Sequence, residues 1–320
     1  MSLLTDKPAV ADDGRSGAER TRRSASWRAP LAVRIRRETA GWLFLLPAVL
    51  VFALFAWWPI VRGLLLAFQR TNLVDPASWV GFDNFRAVLA DPLAATAVRN
   101  TLIYVGLALV IGFPAPLIVA SVMSTVRRGA GLYRFLVYLP VVIPPTVAIL
   151  LWKWFYDPGS GLFNSLLGKV GLGPYPWLDS PHWALASLVL EATWAGMGGA
   201  VLIYLAAMAG IPGELYEAAE LDGSGVWRRI WHVMLPQLRP TIGLVLLVQL
   251  ISTVQVFAEP YLFTGGGPQD STTTVLLLIF RYAFQNAEYG QAAALTTLMV
   301  ATLAVLSAVY LRATRSWSHK

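Results

Sequence analysis

Six apolar stretches, each near the length a helix needs to cross a bilayer, constrain this chain more than any other feature. A hydrocarbon core of about 30 Å takes roughly 20 mainly apolar residues in a helix. The first stretch lies near Gly41–Val61 and carries no charge. The second fits inside the charge-free interval Asn100–Ser124, and the third runs from about Phe135 to Tyr156 across Pro140, Pro144 and Pro145. Ala184–Ala209 forms the fourth, interrupted only by Glu191. The fifth covers Thr241 to about Ala258, and the sixth Gln291–Leu311. Composition agrees: 56% of the 320 residues are hydrophobic and 13% charged, against about 25% charged in soluble domains. The expected fold is an all-α integral membrane protein with six transmembrane helices.

Several chemistries fall away. The chain has no cysteine, so it has no disulfide, thiol nucleophile or thiolate metal site. Its three histidines, His182, His232 and His319, fall in separate loops and suggest no metal cluster. The net charge of +7 gathers at the edges of apolar stretches, which speaks for membrane orientation and not for nucleic acid. Residues 1–40 form a basic arm, expected to be disordered because it is too polar to bury a core. It is expected to be a cytoplasmic tail before a retained helix and not a signal peptide, since the apolar run behind it is too long and no small-residue cleavage site follows. A six-helix membrane body over 41–312, holding a loop at 211–240, and a tail at 313–320 complete the organisation.

Cations orient such a protein. The arm, the loop with Arg127, Arg128 and Arg134, the loop with Arg228, Arg229 and Arg239, and the tail with Arg312, Arg315 and Lys320 fall on one side. Both termini are therefore expected in the cytoplasm. Trp57, Trp58, Trp152, Trp154 and Tyr156 are read as an aromatic belt at the outer ends of spans. Thr274–Phe284 is apolar but too short to cross, and is read as an interfacial or extracytoplasmic helix.

An ionisable residue within a span is costly and defaults to a functional candidate. Glu191 is the acid deep in a span, with Trp194 one turn on, whose ring offers a flat face for stacking. Gln249, Ser252, Thr253, Gln255 and Glu259 are expected on one side of the fifth helix, facing a cavity or another helix. These seven are the translocation-path candidates. The plainer alternative is that Glu191 and the stripe join helix to helix.

The loop 211–240 is where charge collects: Glu214, Glu217, Glu220, Asp222, Arg228, Arg229 and Arg239. It reads as two short helices joined by a turn, with Pro212 at a first helical position, Gly223 as a left-handed C-cap, Ser224 capping the second helix and Pro236 disturbing it. An amphipathic loop resting on headgroups is the bland alternative. The spacing Glu217-Ala218-Ala219, three residues, Gly223, nine residues, Val233, one residue, Leu235-Pro236 resembles the signature loop of the membrane subunits of binding-protein-dependent ABC importers. Val80-Gly81-Phe82-Asp83-Asn84-Phe85, Asn100-Thr101-Leu102, Gln255-Val256-Phe257 and Phe263-Thr264-Gly265-Gly266-Gly267-Pro268 are similar to the carbohydrate-uptake branch, of maltose and glycerol-3-phosphate type. In that branch Asp often follows the Gln-Val-Phe triplet, where this chain has Ala258 and then Glu259.

The resemblance implies the type I importer permease fold and a subunit in a bacterial inner or plasma membrane, forming half of a path for a sugar or polyol. It implies that Glu217, Ala218, Ala219, Gly223, Leu235 and Pro236 meet an ATPase. It also implies two ATP-binding subunits, a second homologous permease, an extracytoplasmic solute-binding protein and surrounding lipid as partners, with no nucleic acid. The chain carries no GxxxxGK[ST] phosphate loop, so it is expected to be no enzyme and to hold no cofactor, ATP and Mg being bound by the partners. The alternative function is an ATP-independent secondary transporter or channel, for which paired broken helices or inverted repeats would be the sign.

Overall fold

The computed structural model describes residues 31–126 and 128–314. Of the arm expected to be disordered over 1–40, residues 1–30 lie outside the described residues, as do the cations Arg127, Arg315 and Lys320, whereas 31–40 are helical. The chain divides into two compact units, Met1–Ile60 and Val61–Lys320. The first unit is helical from Leu31, with Pro47 inside the helix and a wider π turn at Ala53–Trp57. From Trp42 the helix is apolar all round and its side chains are exposed, which is the signature of a membrane span. The apolar helical run is Trp42–Leu66.

In the second unit the second span is Pro92–Thr125, which overruns the charge-free interval Asn100–Ser124 expected to hold it. Asp91 caps it by accepting from Leu93 N–H at 2.8 Å, with Pro92 preorganised behind the cap. The same carboxylate accepts from the Tyr282 hydroxyl, whose pKa is raised by burial and then by that bond. The third span is a correction. Ala130–Val142 and Pro145–Phe155 are bent by 99°, because Ile143 and Pro144 adopt extended backbone ahead of Pro145. The fourth span, Ala184–Ala209, keeps its expected bounds.

The fifth span also departs from expectation. One helical run, Val226–Val254, joins the expected second loop helix to the span itself. Pro236 does not interrupt it, because a π turn at Ile230–Met234 precedes the proline and places it in the first turn of the helix Leu235–Val254. The run ends at Val254, short of Ala258, with Gln255 as its C-cap. The sixth span is Tyr289–Thr314, and Tyr310 Oη donates to Gly243 O at 2.7 Å to join it to the fifth. At Gly198 a Cβ would stand 2.6 Å from Val137 O, so glycine lets the third and fourth spans approach closely.

Two sequence motifs turn out to be structural. In Val80–Phe85, Gly81 takes a φ of +59° and Asn84 donates to Ala67 O and Gln69 O, both at 2.9 Å. This pins a small antiparallel hairpin, Gln69–Arg70 against Ser78–Trp79, to the helix Asp83–Ala90. Asn100 Nδ2 donates to Asp270 O and Thr273 O, while Thr101 Oγ1 accepts from Val275 N–H at 3.0 Å. Within the apolar segment Thr274–Phe284, the helix Val275–Phe280 therefore packs into the fold, with Leu277 and Leu278 buried.

The aromatic belt divides as well. Trp57, Trp58 and Trp154 are exposed, whereas Tyr156 is buried and donates to Ser187 O at 2.7 Å. Trp152 is half-buried against Tyr156, Phe163 and Trp194. These two are core residues, not belt residues.

Candidate functional site

The second, fourth and fifth spans wall a cleft of about 800 Å³. From the second span come Tyr104, Ala108, Gly112 and Pro116, a stripe at intervals of four. A π turn at Ala108–Gly112 lies in the middle of that stripe. The fourth span supplies Thr193 and Gly196, and the fifth Gln249, Ser252 and Thr253. Gly112 keeps these walls together, since a Cβ there would stand 3.1 Å from Thr193 Oγ1 and 3.2 Å from Gln249 Nε2.

The polar wall is largely self-satisfied. Thr193 donates to Val189 O at 2.7 Å, and Ser252 to Val248 O at 3.0 Å. Gln255 Nε2 donates to Ile251 O at 3.0 Å. Gln249 Nε2 crosses to Ala108 O at 3.1 Å, which leaves its amide oxygen as an acceptor. Such a surface offers hydroxyl and amide oxygens to a polyhydroxylated solute without leaving strong donors orphaned in its absence.

Five of the seven path candidates, Gln249, Ser252, Thr253, Gln255 and Glu259, line this cleft. They do not share one helical wheel, because the helix stops at Val254 and Glu259 belongs to the next turn of chain. Glu191 and Trp194 are not among the lining residues. Glu191 is 1% exposed, and its Oε2 has no hydrogen-bond partner among the described residues. Trp194 turns to Trp152, with ring centroids 5.6 Å apart.

Beyond the fifth span the Gly265–Gly267 run forms a tied knot and not a plain flexible turn. Gly265 and Gly266 have φ of +61° and +97°. Arg281 Nη2 donates to Gly265 O and Nη1 to Asp270 Oδ1, both at 2.8 Å. Thr273 Oγ1 also donates to Asp270 Oδ1 at 2.9 Å. The Arg281 guanidinium holds the Asp270 carboxyl below its ordinary range. Sequence reasoning missed this pair; the signal was an acid and an arginine flanking a triple threonine, but nothing local showed that they meet.

At the other end of the fifth span stands the charged loop. Its first helix is Gly213–Leu221, with Pro212 as N-cap and not as first helical residue. Gly223 has φ +70°; its N–H bonds Glu220 O, and Ser224 N–H bonds Ala219 O at 2.9 Å. That pair of bonds is a Schellman cap. Gly225, not Ser224, caps the following helix. Arg229 pairs with Glu220 across the turn. Glu217, Ala218 and Gly223 are exposed, while Ala219, Leu235 and Pro236 are half-buried. Leu221 is 91% exposed and Trp227 77%, and a Cβ on Gly223 would meet nothing within 4 Å.

Residues 112–316 match the family described as "Binding-protein-dependent transport system inner membrane component". The chain belongs to that family. The permease is 33% identical over 280 residues to the sulfoquinovosyl glycerol transport system permease protein SmoG of Agrobacterium fabrum, covering 86% of this chain and 90% of that one. It is 32% identical over 283 residues to the lactose transport system permease protein LacF of Rhizobium radiobacter, covering 87% and 95%. Among solved structures, it matches a bacterial ABC transporter involved in import of the acidic polysaccharide alginate, at TM-score 0.80 and 29% identity, over 90% of this chain and 99% of that chain. It is thus a multi-pass inner-membrane permease of a binding-protein-dependent ABC importer, with the type I permease fold, and its relatives include permeases of the carbohydrate-uptake branch.

Proposed function

We propose that this permease forms half of the path for a sugar or polyol and is driven by ATP hydrolysed in partner subunits. The cleft carries this reading: an 800 Å³ space walled by hydroxyl and amide oxygens over an apolar base suits a polyhydroxylated solute. Gln249, Ser252, Thr253, Gln255 and Glu259 are the residues assigned to contact with cargo. Glu191 and Trp194 are assigned to supporting that wall from behind.

The loop is assigned to the motor. Glu217, Ala218, Ala219 and Gly223, with Leu235 and Pro236 at the head of the span, are proposed to seat against an ATP-binding subunit. Two such subunits hold ATP and Mg, a homologous permease supplies the other half of the path, and an extracytoplasmic solute-binding protein delivers cargo. The exposed apolar Leu221 and Trp227, flanking an open and conformationally fixed turn, support this assignment. The continuous helix Val226–Val254 would then carry a displacement of the turn directly to Gln249–Thr253 in the cleft wall. Both termini are assigned to the cytoplasm, on the side of the loop.

Gly223→Asp tests the motor assignment against Gly171→Asp. Both glycines are left-handed, at φ +70° and +77°, and neither has an atom within 4 Å of a built Cβ. Backbone strain is therefore matched, and only a partner surface can separate them. Uptake should fall more than about tenfold with Gly223→Asp and little with Gly171→Asp, with both proteins present in the membrane. Equal uptake by the two variants would remove the loop from the coupling path. Orientation is read separately: Ser160→Cys should react with an impermeant thiol reagent outside intact cells, and Ser316→Cys only after permeabilisation.

A further inference from the structure

The cleft has a one-sided charge. Of its lining residues, Glu259 is the acid, and none is Lys, Arg or His. Behind the lining sits Glu191, buried and with one carboxyl oxygen unpartnered among the described residues. Ala192, next to Glu191 along the fourth span, lines the same cleft as Tyr104 and Glu259. The ion pairs among the described residues are Arg86–Asp83, Arg229–Glu220 and Arg281–Asp270. None of them involves either glutamate. The rest of the wall includes Met197, Ile203, Leu244 and Val248, which screen charge poorly.

We propose that Glu259 is a specificity-determining residue, making this half of the path select cargo without negative charge: a neutral glycan or polyol, not an acidic one. This rests on the sugar-permease reading. A carboxylate, sulfonate or phosphate on the cargo would approach Glu259 with no cation among the described residues that line the cleft to offset it. Glu259 must then either repel the anion or take up a proton to admit it, and both routes cost free energy. At contact distances in a partly apolar cleft the penalty amounts to about tenfold or more in affinity. A neutral sugar meets no such penalty, and its hydroxyls can donate to the Glu259 carboxyl and to the Gln249 amide oxygen. The known relatives span both possibilities, lactose on one hand and the acidic polysaccharide alginate on the other. The charge of the cleft chooses between them.

The test uses the complete importer with its own binding protein in proteoliposomes, offered matched pairs of neutral glycans and their uronic-acid counterparts. Uptake and binding to the assembly held with a non-hydrolysable ATP analogue are both measured. The wild type should prefer the neutral member by about tenfold or more. Glu259→Gln should reduce that ratio at least about threefold, while Glu288→Gln, which removes an exposed acid far along the chain, leaves it unchanged. Glu259→Asp keeps the charge and should keep the preference, which covers the case in which the glutamine variant does not assemble. Wild-type import of the acidic member as readily as the neutral one overturns the proposal, as does an unchanged ratio in Glu259→Gln or a lost one in Glu259→Asp. Import of no glycan of either charge overturns the sugar reading itself, a pattern distinct from acidic import.

Discussion

Two left-handed glycine turns stand at the two ends of the fifth span, and they are built on opposite plans. Gly223 precedes the helix with open space around it; Gly266 follows it inside a cage, where a Cβ would stand 2.3 Å from Arg281 Nη2 and 2.5 Å from Thr273 Oγ1. Gly266 is fixed by its own chain, through Arg281, Asp270 and Thr273. Gly223 is fixed only by its Schellman bonds, and Leu221 and Trp227 beside it remain uncovered. The difference teaches where each turn gets its constraint. The caged one is finished when the subunit folds. The open one presents a rigid shape that something else must complete.

The strongest way to break this contrast is at the cage. Gly266→Val should disorder the knot by both strain and collision, costing roughly 1–3 kcal/mol from backbone conformation alone. The expected result is a lowered melting temperature of purified protein and reduced yield; a wild-type melt would show that the cage is loose. Asn100→Ala comes next. It removes a buried amide that ties the second span to Asp270 O and Thr273 O, for a loss of about 1–3 kcal/mol. Thermal unfolding of the purified subunit reads it, and hydrogen exchange should rise first at Asp270–Val275.

Gly223→Ala sharpens the other side. With nothing near its Cβ, the cost is confined to the left-handed backbone, about 1–2 kcal/mol, felt as fraying of the Gly213–Leu221 helix and not as global loss. A global drop in melting temperature equal to that of Gly266→Val would erase the distinction. The smallest effect concerns pH. The Asp270 pKa is lowered by Arg281 from its ordinary 3.8, so the contribution of the pair is present above that value. It is lost as pH falls below 3.8 through the depressed value. Amide protection at Gly265–Thr273, taken relative to the intrinsic exchange rate at each pH, should fall in that acid range and not between about pH 5 and 7; unchanged protection on acidification would mean that the ion pair contributes nothing.

How far the sequence could be read depends on whether a signal was local. The fourth span was legible to the residue, because its apolar run is broken by neither proline nor a charged end. The fifth was not, since Arg228, Arg229 and Arg239 make the start of a continuous helix look like a loop, and a π turn accommodates the proline that should have stopped it. The double proline at Pro144–Pro145 was visible, but a 99° bend between two half-helices is decided by how they pack. In the site, the polar side of Gln249–Thr253 was readable as periodicity. That Trp194 turns to Trp152, and that Arg281 closes on Asp270, were not, because each partner lies in a different element.

The stripe Tyr104, Ala108, Gly112 and Pro116 carries a consequence for how this protein can vary. Steps of four residues overshoot an α-helical turn by about 40° each, so three steps should carry the stripe about 120° around the helix. The π turn at Ala108–Gly112 absorbs part of that overshoot, and all four residues meet the same cleft. The second span thus has a reading frame, set by one surplus residue in the bulge. Removing a single residue there would re-phase everything on one side by about 100°, exchanging a cleft-facing half for its neighbour while leaving length and hydropathy almost untouched. Substitutions tune this wall residue by residue; an insertion or deletion would change which wall it is.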